Sequence, residues 1–80
     1  MRLDKFLKVS RLIKRRTVAN EVCDSARVFV NNNPAKPAKQ LKIGDIITIE
    51  YKNMTKKYKV LIIPSGNVSI NEAPTLYQEL

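Results

Sequence analysis

The apolar residues of this chain change their period near residue 27, and that change limits the folds open to it. Before it they recur every three or four residues; beyond it they alternate. Over residues 2–13, Leu3, Phe6, Leu7, Ser10 and Ile13 fall on one stripe of a helix turning 100° per residue, with Val9 at its edge. A second helix is expected from residue 15 or 17 to Ala26. Val18, Ala19, Val22, Cys23 and Ala26 form its buried side, and Thr17 suits its N-cap because a hydroxyl accepts from a first-turn N–H. Arg27-Val28-Phe29-Val30 then reads as a short strand, closed by the turn cluster Asn31-Asn32-Asn33-Pro34. Residues 34–42 form an irregular basic loop, and Ile43-Gly44-Asp45 punctuates it before a strand from Ile46 to Tyr51. After a turn at Lys52-Asn53-Met54, residues 55–63 alternate Tyr58, Val60 and Ile62 against Lys57 and Lys59, as a half-buried strand does. In the tail, Ala73, Leu76, Tyr77 and Leu80 keep helical spacing and predict a short C-terminal helix folding back. Helices first and an antiparallel sheet afterwards make the expected class α+β.

Eighty residues support one domain with a thin core. Cys23 is the only cysteine and histidine is absent, so neither an internal disulfide nor a cysteine–histidine metal site can be assembled. The commonest general base and the commonest zinc ligand are missing together. Gly44 and Gly66 are the only glycines, which leaves no glycine-rich phosphate loop. No carboxylates pair at a useful spacing. The chain is therefore expected not to be an enzyme, and to need no cofactor and no metal. Cys23 reads as small core filler. No apolar run reaches the length of a signal peptide or a membrane span, so a soluble cytoplasmic protein is expected.

Charge points to the partner. Lys and Arg number 15 against 7 acids, a formal net charge of +8. Arg2, Lys5, Lys8, Arg11, Lys14, Arg15 and Arg16 crowd into the first sixteen residues, where Asp4 is the lone acid. An ordinary solvated surface has no need of such crowding; a polyanion does. Lys5, Lys8 and Arg11 advance by three along the side of the first helix opposite its apolar stripe. With the Lys14-Arg15-Arg16 corner and the loop lysines Lys36 and Lys39, they make a candidate RNA-binding surface. Phosphates are held by cations at fixed spacing, and arginine adds a planar fork that grips two oxygens. Arg2 opens one helix and Arg16 the other, so a helical hairpin could bring them close. Asp4 would favour the helix dipole or hold a nearby arginine. Phe6 and Phe29 are assigned to the core. Tyr51, Tyr58 and Tyr77 form no regular stacking platform, which disfavours a reader of single strands.

Other readings fit less well. A DNA-binding helix-turn-helix needs base-reading residues on its second helix, which offers chiefly Asn20, Glu21 and Asp24; two acids there would repel the groove. A membrane-surface protein needs an apolar face left unburied, and here the sheet requires that face.

The blocks Arg2-Leu3-Asp4-Lys5-Phe6-Leu7, Ser10 to Thr17, Ala26-Arg27-Val28, Lys36-Pro37 and Ile43-Gly44-Asp45 resemble the S4 RNA-binding domain. The likeness covers residues 1–51 as the RNA-binding core, with residues 52–80 supplying a completing strand and tail of the same domain. It implies two or three short helices packed on a small antiparallel sheet. Within that family the N-terminal block is most similar to the small RqcP-type proteins of bacterial ribosome quality control, related to the S4-domain heat-shock RNA-binding protein. That resemblance implies a cytoplasmic, ribosome-associated monomer. It would dock on large subunits obstructed by peptidyl-tRNA and stabilise the tRNA while an RqcH-type quality control factor directs alanine tailing. The implied partners are large-subunit rRNA and peptidyl-tRNA, contacted through Arg2 and Arg16 with Asp4, Lys5, Lys8 and Arg11 nearby. A general chaperone of free large subunits is the alternative. Ala26 and Asn31-Asn32 stand where the family has Gly and an Asn-Gly turn, positions suited to left-handed backbone, which asparagine tolerates better than alanine.

Overall fold

Leu3, Phe6 and Leu7 lie on one side of a short helix and are all fully buried, as their spacing requires. The computed structural model describes residues 1–13, 27–50, 54–66 and 68–80. The expected second helix, with Thr17, Cys23 and Ala26, lies outside the described residues, as do Tyr51 and the Lys52-Asn53 turn. Helix α1 spans Leu3–Val9. Strands follow in the order β1 (Val28–Val30), β2 (Asn33–Pro34), β3 (Ile46–Glu50), β4 (Thr55–Val60) and β5 (Tyr77–Glu79). They form one antiparallel sheet ordered β2-β1-β3-β4-β5. The α+β architecture is the expected one.

Register decides which residues meet α1. Val30 pairs with Ile47, which pairs with Tyr58, and Val28 pairs with Ile49. Side chains alternate along a strand, so these residues share the inner face. There they join Leu3, Phe6, Leu7, Ile13, Leu41 and Val60 in one apolar cluster. Phe29, expected in the core, is only half buried: it lies between Val28 and Val30 on the other side of the sheet and faces outward.

Helix α1 is shorter than its apolar spacing suggested. Ser10 is its C-cap, and Arg11 takes a left-handed φ of 61°. Arg11 N–H donates to the Lys8 carbonyl and Ile13 N–H to that of Leu7, both at 3.0 Å. A left-handed residue just past a helix end turns the chain back over the last turn. Here it returns Ile13 to the core, so the residues after Val9 keep the helical stripe without the helix.

Asn31 and Asn32 have φ of 52° and 69° between the paired residues Val30 and Asn33. Two central residues with positive φ are the signature of the type I′ hairpin turn, so the asparagines adopt the backbone their position suggested. Asn31 also ties the hairpin to β3: its Oδ1 accepts Ile46 N–H at 3.0 Å and its Nδ2 donates to Asp45 Oδ1 at 3.1 Å.

The tail departs from expectation. In place of an α-helix it forms a 3-10 turn at Ala73–Leu76 followed by β5. Pro74 in the first turn removes an N–H, and the Leu76 carbonyl is taken by the N–H groups of Leu61 and Ile62. Ala73 and Leu76 are still buried, so the apolar pattern marked the contacts correctly while the backbone satisfied them differently. Strand β4 likewise stops at Val60, and Ile62, expected to alternate inward, is exposed.

Candidate nucleic-acid interface

The N-terminus of α1 is closed by backbone from the basic loop. Leu3 N–H donates to the Lys39 carbonyl at 2.8 Å, and Asp4 N–H donates to that of Pro37 at 3.2 Å. First-turn N–H groups have no partner within their own helix, and here loop carbonyls replace a side-chain cap. A β-bridge between Arg2 and Gln40 and a bond from Leu41 N–H to the Met1 carbonyl at 2.9 Å complete the closure. The loop itself is tightened by Lys39 N–H donating to the Lys36 carbonyl at 3.0 Å. Arg2 and the loop lysines Lys36 and Lys39, more than thirty residues further along the sequence, are thereby held at one end of α1.

Lys5 and Lys8 are exposed along the helix and Arg11 is exposed just beyond it. Lys5 and Lys8 are three residues apart, so they lie about 60° apart around the helix. Among the described residues, Lys5, Lys8, Arg11, Lys36 and Lys39 form no ion pair. Their charges are directed to solvent. Lys14, Arg15 and Arg16 lie outside the described residues.

Asp4 has a different place. Its side chain is fully enclosed, 0% exposed, and its Oδ2 lies 3.3 Å from Arg2 Nη2, while the Arg2 side chain is 44% exposed. Its Oδ1 accepts Lys5 N–H at 2.7 Å. A carboxylate taken out of water needs such partners. Both roles considered from sequence have visible geometry: Asp4 stands in the first turn of α1, where its charge suits the helix dipole, and its other oxygen holds Arg2. Arg2 in turn is more than a surface charge, since one side of its guanidinium is engaged by the protein.

The backbone donors and acceptors that assemble this rim were missed by sequence reading. The carbonyls of Pro37 and Lys39 and the Gln40 bridge carry no side-chain signal; only the loop's length and its two prolines hinted at a fixed shape. Among the described residues no cluster of histidine, cysteine, aspartate or glutamate could hold a metal ion. No helix among them is long and apolar enough to cross a membrane.

The family described as S4 domain matches residues 1–47. A protein of Halalkalibacterium halodurans named RQC P-site tRNA stabilizing factor is 47% identical over 78 residues, covering 98% of this chain and 88% of that one. A Listeria innocua protein of the same name is 46% identical over 81 residues, covering 99% and 88%. Among solved structures, the trimeric heat shock protein 15 of Vibrio cholerae superposes with a TM-score of 0.89 at 32% identity, covering 100% of this chain and 81% of that one.

Proposed function

Because the chain belongs to the S4-domain family, we propose that it is an RNA-binding factor of ribosome-associated quality control that stabilises a tRNA on the large subunit. The observation that carries this reading is the near full-length likeness to relatives named RQC P-site tRNA stabilizing factor. The basic rim supplies the physical means. Arg2, Lys5, Lys8, Arg11, Lys36 and Lys39 are offered on a helix and a loop locked to each other, so little backbone freedom remains to be lost on binding. Asp4 is a positioning residue that orients Arg2 from within. Lys14, Arg15 and Arg16 follow in the sequence and add three more positive charges to the same segment. No catalytic step is required of the protein: it holds RNA in place while another factor acts.

In its finer form, the protein docks on large subunits still obstructed by peptidyl-tRNA and works beside an RqcH-type factor during alanine tailing of the stalled chain. The family resemblance leaves a second reading beside it, a general RNA-binding chaperone of free large subunits. Sedimentation of cell extracts on a density gradient separates the two. Enrichment on large subunits carrying peptidyl-tRNA supports quality control; binding to empty large subunits alone supports the chaperone. Absence from every ribosomal fraction overturns both. If about four or five phosphates are neutralised, log affinity falls with log salt at a slope of roughly −3 to −4, and a slope near zero removes the electrostatic basis.

A further inference from the structure

The sheet has a second face, away from α1, and its residues are not used by the rim described above. Register identifies them. Phe29 pairs with Thr48, which pairs with Lys57, and Ile46 pairs with Lys59, which pairs with Gln78. Paired residues point to the same side, so one outward row runs Phe29-Thr48-Lys57 and the next Ile46-Lys59-Gln78. Arg27 joins them by the same alternation, its carbonyl accepting Glu50 N–H at 2.9 Å.

The charges on this face differ from those on the inner one. Lys56, on the inner face, is neutralised by Glu79 at 2.9 Å. Lys57, Lys59 and Arg27 are exposed and form no ion pair among the described residues. Glu50 is the acid on that side and is likewise unpaired. Among the described residues, three bases against one acid make the face cationic. Beneath them Thr48 is 8% exposed, and its hydroxyl oxygen is enclosed with no hydrogen-bond partner.

We propose that the outward face of the sheet, carrying Arg27, Lys57 and Lys59 around Thr48, is a second RNA-binding surface that takes a phosphate backbone. Lys57 and Lys59 are two residues apart on one strand, so their stems emerge about 7 Å apart on a rigid frame. Half-exposed Phe29 alone makes no stacking platform, so phosphates rather than bases are held. Because this face and the α1 rim look in different directions, one chain can touch two RNA segments at once. This rests on the proposed function, in which a tRNA is held against the subunit, and gives that holding a physical form: a bridge.

The test uses the full chain and large subunits carrying peptidyl-tRNA. Lys57→Gln with Lys59→Gln is expected to lower affinity about 10- to 30-fold near 0.1 M salt and to make the salt slope shallower by about 1.5. Lys56→Gln removes one charge from the other face and is expected to change affinity less than twofold. Unchanged affinity in the double variant overturns the second surface, even where Lys5→Ala with Lys8→Ala abolishes binding and so upholds the first. Equal losses from Lys56→Gln and Lys57→Gln overturn it too, since net charge alone would then account for both. Weakened binding with an unchanged salt slope assigns the face to a protein partner instead. A wild-type chain that fails to bind the subunits removes the proposed function, and the bridge with it.

Discussion

Arg2 and Asp4 form an ion pair at 3.3 Å in which the arginine is half in solvent and the carboxylate is wholly enclosed. The pair therefore joins the core to the cationic rim. Asp4→Asn raises the net positive charge by one, so attraction to RNA taken alone would strengthen. The expected outcome is the reverse. With the carboxylate gone, Arg2 loses its fixed direction, and RNA affinity falls several-fold. Unfolding free energy drops by about 2 kcal/mol, less than for a fully buried pair because Arg2 is exposed. Filter binding and urea melts of the same variant check both parts. Stronger binding by Asp4→Asn would deny the positioning role.

Arg11 separates stability from binding in the other direction. It holds a left-handed φ that costs most side chains about 1 kcal/mol and glycine almost nothing. Arg11→Gly is expected to leave the protein as stable or more so, by up to about 1 kcal/mol, while weakening RNA binding through the lost cation. Arg11→Ala keeps the strain and loses the charge, so it should be the less stable of the two. Thermal melts rank them.

The type I′ turn makes two neighbouring asparagines unequal. Asn32→Gly relieves positive φ where no bond depends on the side chain and is expected to stabilise by about 0.5–1 kcal/mol. Asn31→Gly relieves the same strain but forfeits the bonds to Ile46 and Asp45. It should destabilise by about 1 kcal/mol. Denaturant midpoints of the two variants are expected to move in opposite directions.

Thr48→Val replaces an orphaned hydroxyl with a methyl of similar shape. Stability is expected to rise by about 1 kcal/mol in a chemical melt, because nothing in the folded protein loses a partner.

Sequence carried the fold class and most of the core, because burial follows period and period is visible. Leu3, Phe6 and Leu7, then Ile47, Ile49, Tyr58 and Val60, are buried where their spacing placed them. What was hidden depends on partners distant in the chain. Helix α1 ends at Val9 because Arg11 turns left, and arginine gives no warning of that. The tail chose β5 over a helix because the open edge of β4 offered it a register. The sequence reading sets Phe29 on a buried face, although its position between two inward valines puts it on the opposite side of the sheet. The cations of the rim were legible as a cluster; the carbonyls that hold helix and loop together were not, since every residue carries one.

The closure of α1 by the carbonyls of Pro37 and Lys39 bears on when the binding surface comes into existence. A helix of seven residues does not persist alone in water. Its first turn finds acceptors only after the loop has been carried back by the intervening strands. In the unfolded chain the same lysines and arginines are a diffuse cloud of charge without spacing. Folding and readiness for RNA are thus one event, and a half-made chain has the charge of the finished one without its grip.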